Sequence, residues 1–181
     1  MRVIAGEFRG RRLVAPKGDI ARPTTDRVKE AMFGVLQFGI TGARVLDAFA
    51  GSGALGIEAL SRGAAHVDFI EKEPMCLKAL EENLKAVGAG NAHVHRGDAL
   101  RLLPKLPGPY DLLLLDPPYD DGLYKPVLEA ARDHGILKNG ALVAAECRRT
   151  FDLFVPIGYN LTKRKDYGDI SLFFLAYGEI Q

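Results

Sequence analysis

Four acidic residues, Asp47, Glu71, Asp98 and Asp116, each close a short run of strand-forming residues. The clearest is the last, where Asp111 and four consecutive leucines lead into Asp116-Pro117-Pro118-Tyr119. So apolar a run, bounded by turn residues, reads as a strand covered on both faces. Two prolines cannot extend a sheet ladder, so a carboxylate and a ring are delivered at the strand's carboxyl end. That is the end where open α/β sheets bind ligands. Taken alone, the tetrapeptide is equally a proline turn with a solvated Asp and a packed Tyr. The surrounding chain decides between the two.

Asp47 is followed by Ala48-Phe49-Ala50-Gly51-Ser52-Gly53-Ala54-Leu55-Gly56. Gly51, Gly53 and Gly56 satisfy G-x-G-x-x-G between a strand and a helix, and Glu71 stands 20 residues past Gly51. The same spacing fits a dinucleotide site, which makes a nicotinamide-dependent oxidoreductase a rival. Asp47 separates them. A carboxylate just before the glycine loop is badly placed for a pyrophosphate seeking a helix N-terminus. It suits a ligand without phosphate and with positive charge, such as S-adenosylmethionine with its ammonium and sulfonium groups. Glu71 can accept hydrogen bonds from a ribose diol. Asp98 can take the adenine amine, or simply cap the short helix after it.

These positions require a particular scaffold. Strands are expected at 44–48, 66–71, 92–96, 111–115 and 141–146. Helices are expected at 54–62, from Pro74 to Gly88 (with Leu77, Leu80, Leu84 and Val87 inward), at 99–103 and at 123–134. Repeated βα units predict a doubly wound, mainly parallel sheet of seven strands. The runs 159–165 and 170–177 are too close for a crossover, so they form an antiparallel hairpin and supply the antiparallel last strand. With the sixth strand parallel to the rest, the hairpin turn lies on the Asp116 edge and brings Lys163, Arg164 and Lys165 there. Upstream, Thr24, Thr25 and Asp26 are competent N-caps for a helix whose stripe is Val28, Ala31, Met32, Val35 and Leu36, with Gly39 as its stop. Two units follow: a hairpin and docking helix at 1–39, and a catalytic domain at 40–181.

Charge is unevenly distributed. Residues 1–29 hold eight basic residues (Arg2, Arg9, Arg11, Arg12, Lys17, Arg22, Arg27 and Lys29) against three acids, while the whole chain carries only +1. A basic arm on an acidic body points to a polyanionic partner. Phe8, set among arginines and between Gly6 and Gly10, adds a ring that can stack on bases. Cys76 and Cys147 lie far apart without metal-type spacing and are expected to be buried free thiols; no metal site is expected. No apolar run has membrane-spanning length, and the amino terminus lacks a signal-peptide core, so a cytoplasmic chain is expected.

Residues 47–56 with Glu71, Asp98 and Asp116-Pro117-Pro118-Tyr119 resemble a class I S-adenosylmethionine-dependent methyltransferase of the amino-methylating type. Adding 2–12 and the run 22–30 narrows this: nearly the whole chain resembles the RsmD family, which methylates the exocyclic N2 of a guanine in 16S rRNA. The resemblance implies a Rossmann-like methyltransferase fold and acceptor contacts at Asp116, Pro117, Pro118 and Tyr119. It implies cofactor contacts at Thr25, Asp47, Phe49, Ala50, Gly51, Ser52, Gly53, Glu71, Lys72, Asp98 and Ala99. Arg2, Arg9, Arg11, Arg12, Arg22 and Arg27, with Lys163, Arg164 and Lys165, are the implied RNA contacts. It further implies a monomer acting on the 30S particle. An N6-adenine DNA methyltransferase also uses Asp-Pro-Pro-Tyr, but 181 residues leave no room for a separate DNA-recognition domain. A non-catalytic RNA-binding assembly factor has no need of an intact Asp116–Tyr119 stretch.

Overall fold

The computed structural model describes residues 1–16, 25–118 and 122–178. Seven strands form one sheet in the order β3-β2-β1-β4-β5-β7-β6. They are β1 (Arg44–Asp47), β2 (His66–Glu71), β3 (Ala92–Arg96), β4 (Tyr110–Leu115), β5 (Leu137–Arg148), β6 (Tyr159–Tyr167) and β7 (Ile170–Tyr177). β1 to β5 pair in parallel, and β7 runs antiparallel between β5 and β6. The chain order reverses at β1, whose neighbours β2 and β4 lie on opposite sides. That switch point is where a crevice opens in such sheets.

Each face of the sheet carries its own core. Leu112 and Leu114 point to one face, Leu113 and Leu115 to the other, and all four are 0–2% exposed. This is the double coverage expected of a tetraleucine strand. The first face is packed by α1 (Asp26–Leu36), α2 (Ala54–Ser61) and α3 (Pro74–Val87), together with Val3 and Leu13 from the amino-terminal hairpin. The second face is packed by α4 (Ala99–Leu102), α5 (Tyr124–Asp133) and the segment after β5. In the hairpin itself, an isolated antiparallel bridge joins Arg2 to Arg12.

Several expectations shift. Thr25 is the N-cap of α1, accepting from the Val28 amide at 3.3 Å; Thr24 lies outside the described residues. The buried face of α1 is Val28, Lys29, Met32, Phe33 and Leu36, so Lys29 leaves the solvent-facing basic set and Ala31 and Val35 are only half-buried. Gln37, not Gly39, caps its carboxyl end. α3 turns Cys76, Ala79, Leu80, Asn83 and Val87 inward, while Leu77 and Leu84 are half-buried. β5 is longer than expected at both ends because Leu137 pairs with Tyr110 below and Arg148 with Ile170 above. β4 gains Tyr110, whose buried hydroxyl donates to Asp68 at 2.8 Å. Both cysteines are free and buried, and burial pushes the Cys76 thiol up to about 11 and that of Cys147 up to about 12. No helix among the described residues is long and apolar enough to cross a membrane, and no group of three or more metal-binding side chains occurs among them.

Candidate active site

Strand register sets the heights of the four carboxylates. Asp47 pairs with Phe69 on β2 and with Leu114 on β4. Glu71 and Asp116 therefore stand two residues further along on the two neighbours of β1. In a pleated sheet that is a step of about 7 Å, with roughly 10 Å between the two flanking strands. Asp47 is buried at the carboxyl end of β1, and Glu71 and Asp116 stand one step further out on either side of it. Asp98 lies beyond Arg96, the β3 partner of Glu71, and so extends the β2–β3 side.

The glycine loop is shaped by steric demands that only glycine meets. Gly51 (φ +54°) and Gly53 (φ +85°) hold left-handed conformations that side chains disfavour. A Cβ on Gly53 would sit 2.4 Å from Leu80 Cδ1, and one on Gly56 would sit 2.2 Å from Phe69 Cε1. Gly53 thus lets the loop approach α3, and Gly56 lets α2 pack on β2. A Cβ on Gly51 would meet nothing within 4 Å, so that side of the loop is open to a ligand.

Asp47 is fully buried, and its Oδ2 accepts from the Gly56 amide at 2.9 Å near the start of α2. Among the described residues no donor makes a full hydrogen bond to its buried Oδ1, although the Phe49 amide lies close enough to favour the charged form. Burial pushes the carboxyl up to about 7; the Gly56 bond opposes this and the charge of Glu71 adds to it. Such a group gains from a nearby cation or N–H donor. Glu71 Oε2 accepts from the Gly51 amide at 2.7 Å, and its Oε1 from the Lys72 and Glu73 amides at 2.7 and 2.8 Å. These three bonds hold the carboxylate against the loop and leave about one of its four acceptor positions open. Asp98 caps α4, accepting from the Arg101 amide at 3.3 Å. Ala99 is buried behind it, Ala50 is buried with its amide on the Ile70 carbonyl at 2.9 Å, and Phe49 is half-buried against the second core. This set of carboxylate acceptors suits a phosphate-free, cationic nucleoside.

Asp116 is half-buried just past β4, close enough to Cys147 to help raise its thiol. Pro117 is buried and Pro118 exposed; Tyr119 lies outside the described residues, as does Arg22. Arg9, Arg11 and Arg12 are exposed on the hairpin, whereas Phe8 is half-buried against the first core. Arg2 is exposed and pairs with Asp26 at 2.8 Å. Arg27 lies 6.0 Å from the ring centre of Tyr167 in β6. Arg148 pairs with Ile170, so the β6–β7 turn does lie on the Asp116 edge. Lys163 and Arg164 are exposed and Lys165 half-buried; the Arg164 guanidinium is held by Asp166, Ser171 and the Arg149 carbonyl.

One buried assembly has almost no local signature. Glu58 and Lys29, both fully buried, face each other at 3.3 Å. Glu58 also accepts from the Ile4 and Ala5 amides at 2.8 and 3.0 Å and from Arg62 Nε at 2.8 Å, while Lys29 donates to the Arg2 carbonyl. This network joins the basic hairpin to α1 and α2. The available signal was a lone acid in an apolar helix and a lysine on an apolar stripe.

The glycine loop, the buried Asp47 carboxylate and the β1 switch point define a Rossmann-like methyltransferase. The family described as Conserved hypothetical protein 95 matches residues 1–176, and the chain belongs to this family, that of the RsmD methyltransferases. It is 39% identical over 172 residues to the ribosomal RNA small subunit methyltransferase D of Escherichia coli, covering 94% of this chain and 87% of that one. The Haemophilus influenzae protein of the same name is 36% identical, covering 94% and 91%. The solved Escherichia coli methyltransferase yhhF superposes with a TM-score of 0.88 at 38% identity, covering 98% of each chain.

Proposed function

We propose that this methyltransferase moves a methyl group from S-adenosylmethionine to the exocyclic N2 of a guanine in 16S rRNA, on an assembled or assembling 30S particle. The observation that carries this reading is the placement of Asp116 beside the β1 switch point, across the crevice from Glu71. The names of relatives matching nearly the full chain support the ribosomal substrate. S-adenosylmethionine, when bound, supplies the electrophilic methyl group. Asp47 would face its cationic portion, Glu71 its ribose, and Asp98 and Ala99 its base.

Guanine N2 is a poor nucleophile because its lone pair is delocalised into the ring. An Asp116 oxygen and the Pro117 carbonyl accept its two N–H bonds and draw the nitrogen towards a tetrahedral shape. Tyr119 stacks on the extruded base. Positioning of this kind can supply about 7 to 11 kcal/mol in favourable cases. The Asp47 carboxylate on the α2 amide argues against a nicotinamide dinucleotide, whose pyrophosphate would meet that charge.

The exposed Arg9, Arg11 and Arg12 form one part of the proposed RNA surface. Arg27 against Tyr167 makes it continuous with Lys163 and Lys165 on β6. In this reading residues 1–39 are an RNA-facing extension of the 40–181 domain, and the enzyme works as a cytoplasmic monomer. The test is methyl incorporation from labelled S-adenosylmethionine into 30S particles lacking the modification, with naked 16S rRNA and duplex DNA in parallel. Label in the particles supports the proposal, and label in DNA alone rejects it.

A further inference from the structure

Asn83 is 1% exposed on the inward face of α3, between Leu80 and Val87. Its carboxamide makes three hydrogen bonds, all outside its own helix. Oδ1 accepts from the Val14 amide at 2.7 Å, and Nδ2 donates to the Val14 carbonyl at 2.9 Å. Nδ2 also donates to the carbonyl of Ser52 at 2.9 Å. Val14 follows Arg11, Arg12 and Leu13 at the exit of the basic hairpin. Ser52 is the buried residue between Gly51 and Gly53 in the glycine loop. Met1 touches the same residue from the hairpin side, with its sulfur 3.9 Å from Ser52 Oγ.

We infer that Asn83 is a positioning residue that ties the basic hairpin to the cofactor loop, so that the two binding events are energetically linked. This rests on the S-adenosylmethionine reading above. Two side chains tether the loop backbone at Gly51 and Ser52. Glu71 holds the Gly51 amide from one side, and Asn83 holds the Ser52 carbonyl from the other. The first tether ends within the domain; the second continues through one rigid, planar amide into the hairpin. A displacement of Val14 when RNA engages Arg11 and Arg12 therefore acts on Ser52 directly. Any such coupling is reciprocal: the factor by which RNA changes cofactor affinity is the factor by which cofactor changes RNA affinity.

Only an asparagine meets this demand. Aspartate has no donor and would set a carboxylate against the Val14 and Ser52 carbonyls. Leucine matches the volume but gives up both bonds to the exposed Val14 and leaves the buried Ser52 carbonyl without its donor.

The experiment is calorimetric measurement of the S-adenosylmethionine Kd for the full-length wild type, Asn83→Leu, Val14→Pro and the double variant, with and without 30S particles. Val14→Pro removes the hairpin's amide donor while leaving Asn83 in place. Leu128→Ala, on the opposite face of the sheet, controls for lost stability. Asn83→Leu, which loses one buried and two part-buried hydrogen bonds, should weaken cofactor binding about tenfold, and Val14→Pro, which loses one part-buried bond, about threefold. The double variant should be no weaker than Asn83→Leu alone, and Leu128→Ala should bind as wild type does. In turnover the Asn83→Leu loss should fall on the cofactor KM and spare kcat. Particles should shift the wild-type Kd and leave that of Asn83→Leu unmoved. Wild-type affinity in Asn83→Leu, additive losses in the double variant, or equal particle effects on both proteins would overturn the inference. Absent wild-type binding would instead reject the cofactor reading, and this inference with it.

Discussion

Replacing Glu58 by alanine tests how the basic hairpin is held. Glu58 and Lys29 are both fully buried, and the carboxylate serves four donors: Lys29, Arg62 and the amides of Ile4 and Ala5. Removing one member of a buried ion pair costs about 3 to 5 kcal/mol, because the remaining charge stays desolvated. The two amides add little here, since Ile4 and Ala5 are half-buried and can reach water. A loss of about 4 kcal/mol corresponds to a fall in Tm of roughly 8 to 16 °C for a domain of this size. Lys29→Met should cost less, because Arg62 at 2.8 Å still faces Glu58 and methionine fills similar volume.

The pH dependence gives a second signature of the Glu58 variant. Burial lowers the pKa of Lys29 in the native protein, and the charge and hydrogen bond of Glu58 oppose that shift. Without Glu58 the native pKa falls further below the unfolded value of 10.5. The unfolded state then binds more protons between the two values, so stability of the variant rises with pH in that window. Thermal melts from pH 7 to 10, with hydrogen exchange at Ile4 and Ala5, provide the assay. A Tm within about 2 °C of wild type, or unchanged protection at those amides, would refute the reasoning.

Asp116→Ala should abolish methyl transfer and leave S-adenosylmethionine affinity within about twofold of wild type; equal loss of both in calorimetry and turnover would remove its acceptor role. For Asp47, burial raises the native value to about 7, above the ordinary 3.8 of the unfolded chain, so its contribution to stability is full below 3.8 and is lost as pH rises towards 7. Its ionised form suits a cationic ligand, so cofactor binding should tighten from pH 6 to 8 with release of a proton, and Asp47→Asn should flatten that profile in calorimetry. Gly56→Ala drives a methyl into the buried Phe69 ring and should lower stability by about 3 kcal/mol in denaturant melts. Charge reversal at Arg9, Arg11 and Arg12 should weaken 30S binding and cut the slope of log K against log salt by about 2 to 3.

The parts legible in the sequence were those encoded by period and punctuation. β2, β3 and β7 were bounded correctly because Gly, Pro or Asp brackets each apolar run. The four carboxylates could be placed because each ends such a run, and parallel order then puts them on one edge. Where side-chain chemistry conflicts with periodicity, the pattern misplaces residues. Lys29 counts as positive charge in a tally, yet the fold buries it against Glu58, whose partnership spans 29 positions. On α3 the buried face takes Cys76 and Asn83 where the apolar stripe points to Leu77 and Leu84, so periodicity alone sets part of that face one position out. Asp68, His66, His95, Arg44 and Tyr110 come together only through strand register, and no local pattern announces them. The same limit applies to Asp47: its place before the glycines was plain, but its bond to the Gly56 amide depends on how α2 starts.

In the proposed function, Asp116 and its prolines present the exocyclic amine of a guanine to the methyl donor. The most direct measurement is identification of the methylated nucleoside by mass spectrometry after complete digestion of treated 30S particles. N2-methylguanosine at one site, formed by the wild type and absent with Asp116→Ala, is the predicted result. N6-methyladenosine, a ring-nitrogen methylguanosine, or N2-methylguanosine formed undiminished by Asp116→Ala would contradict it.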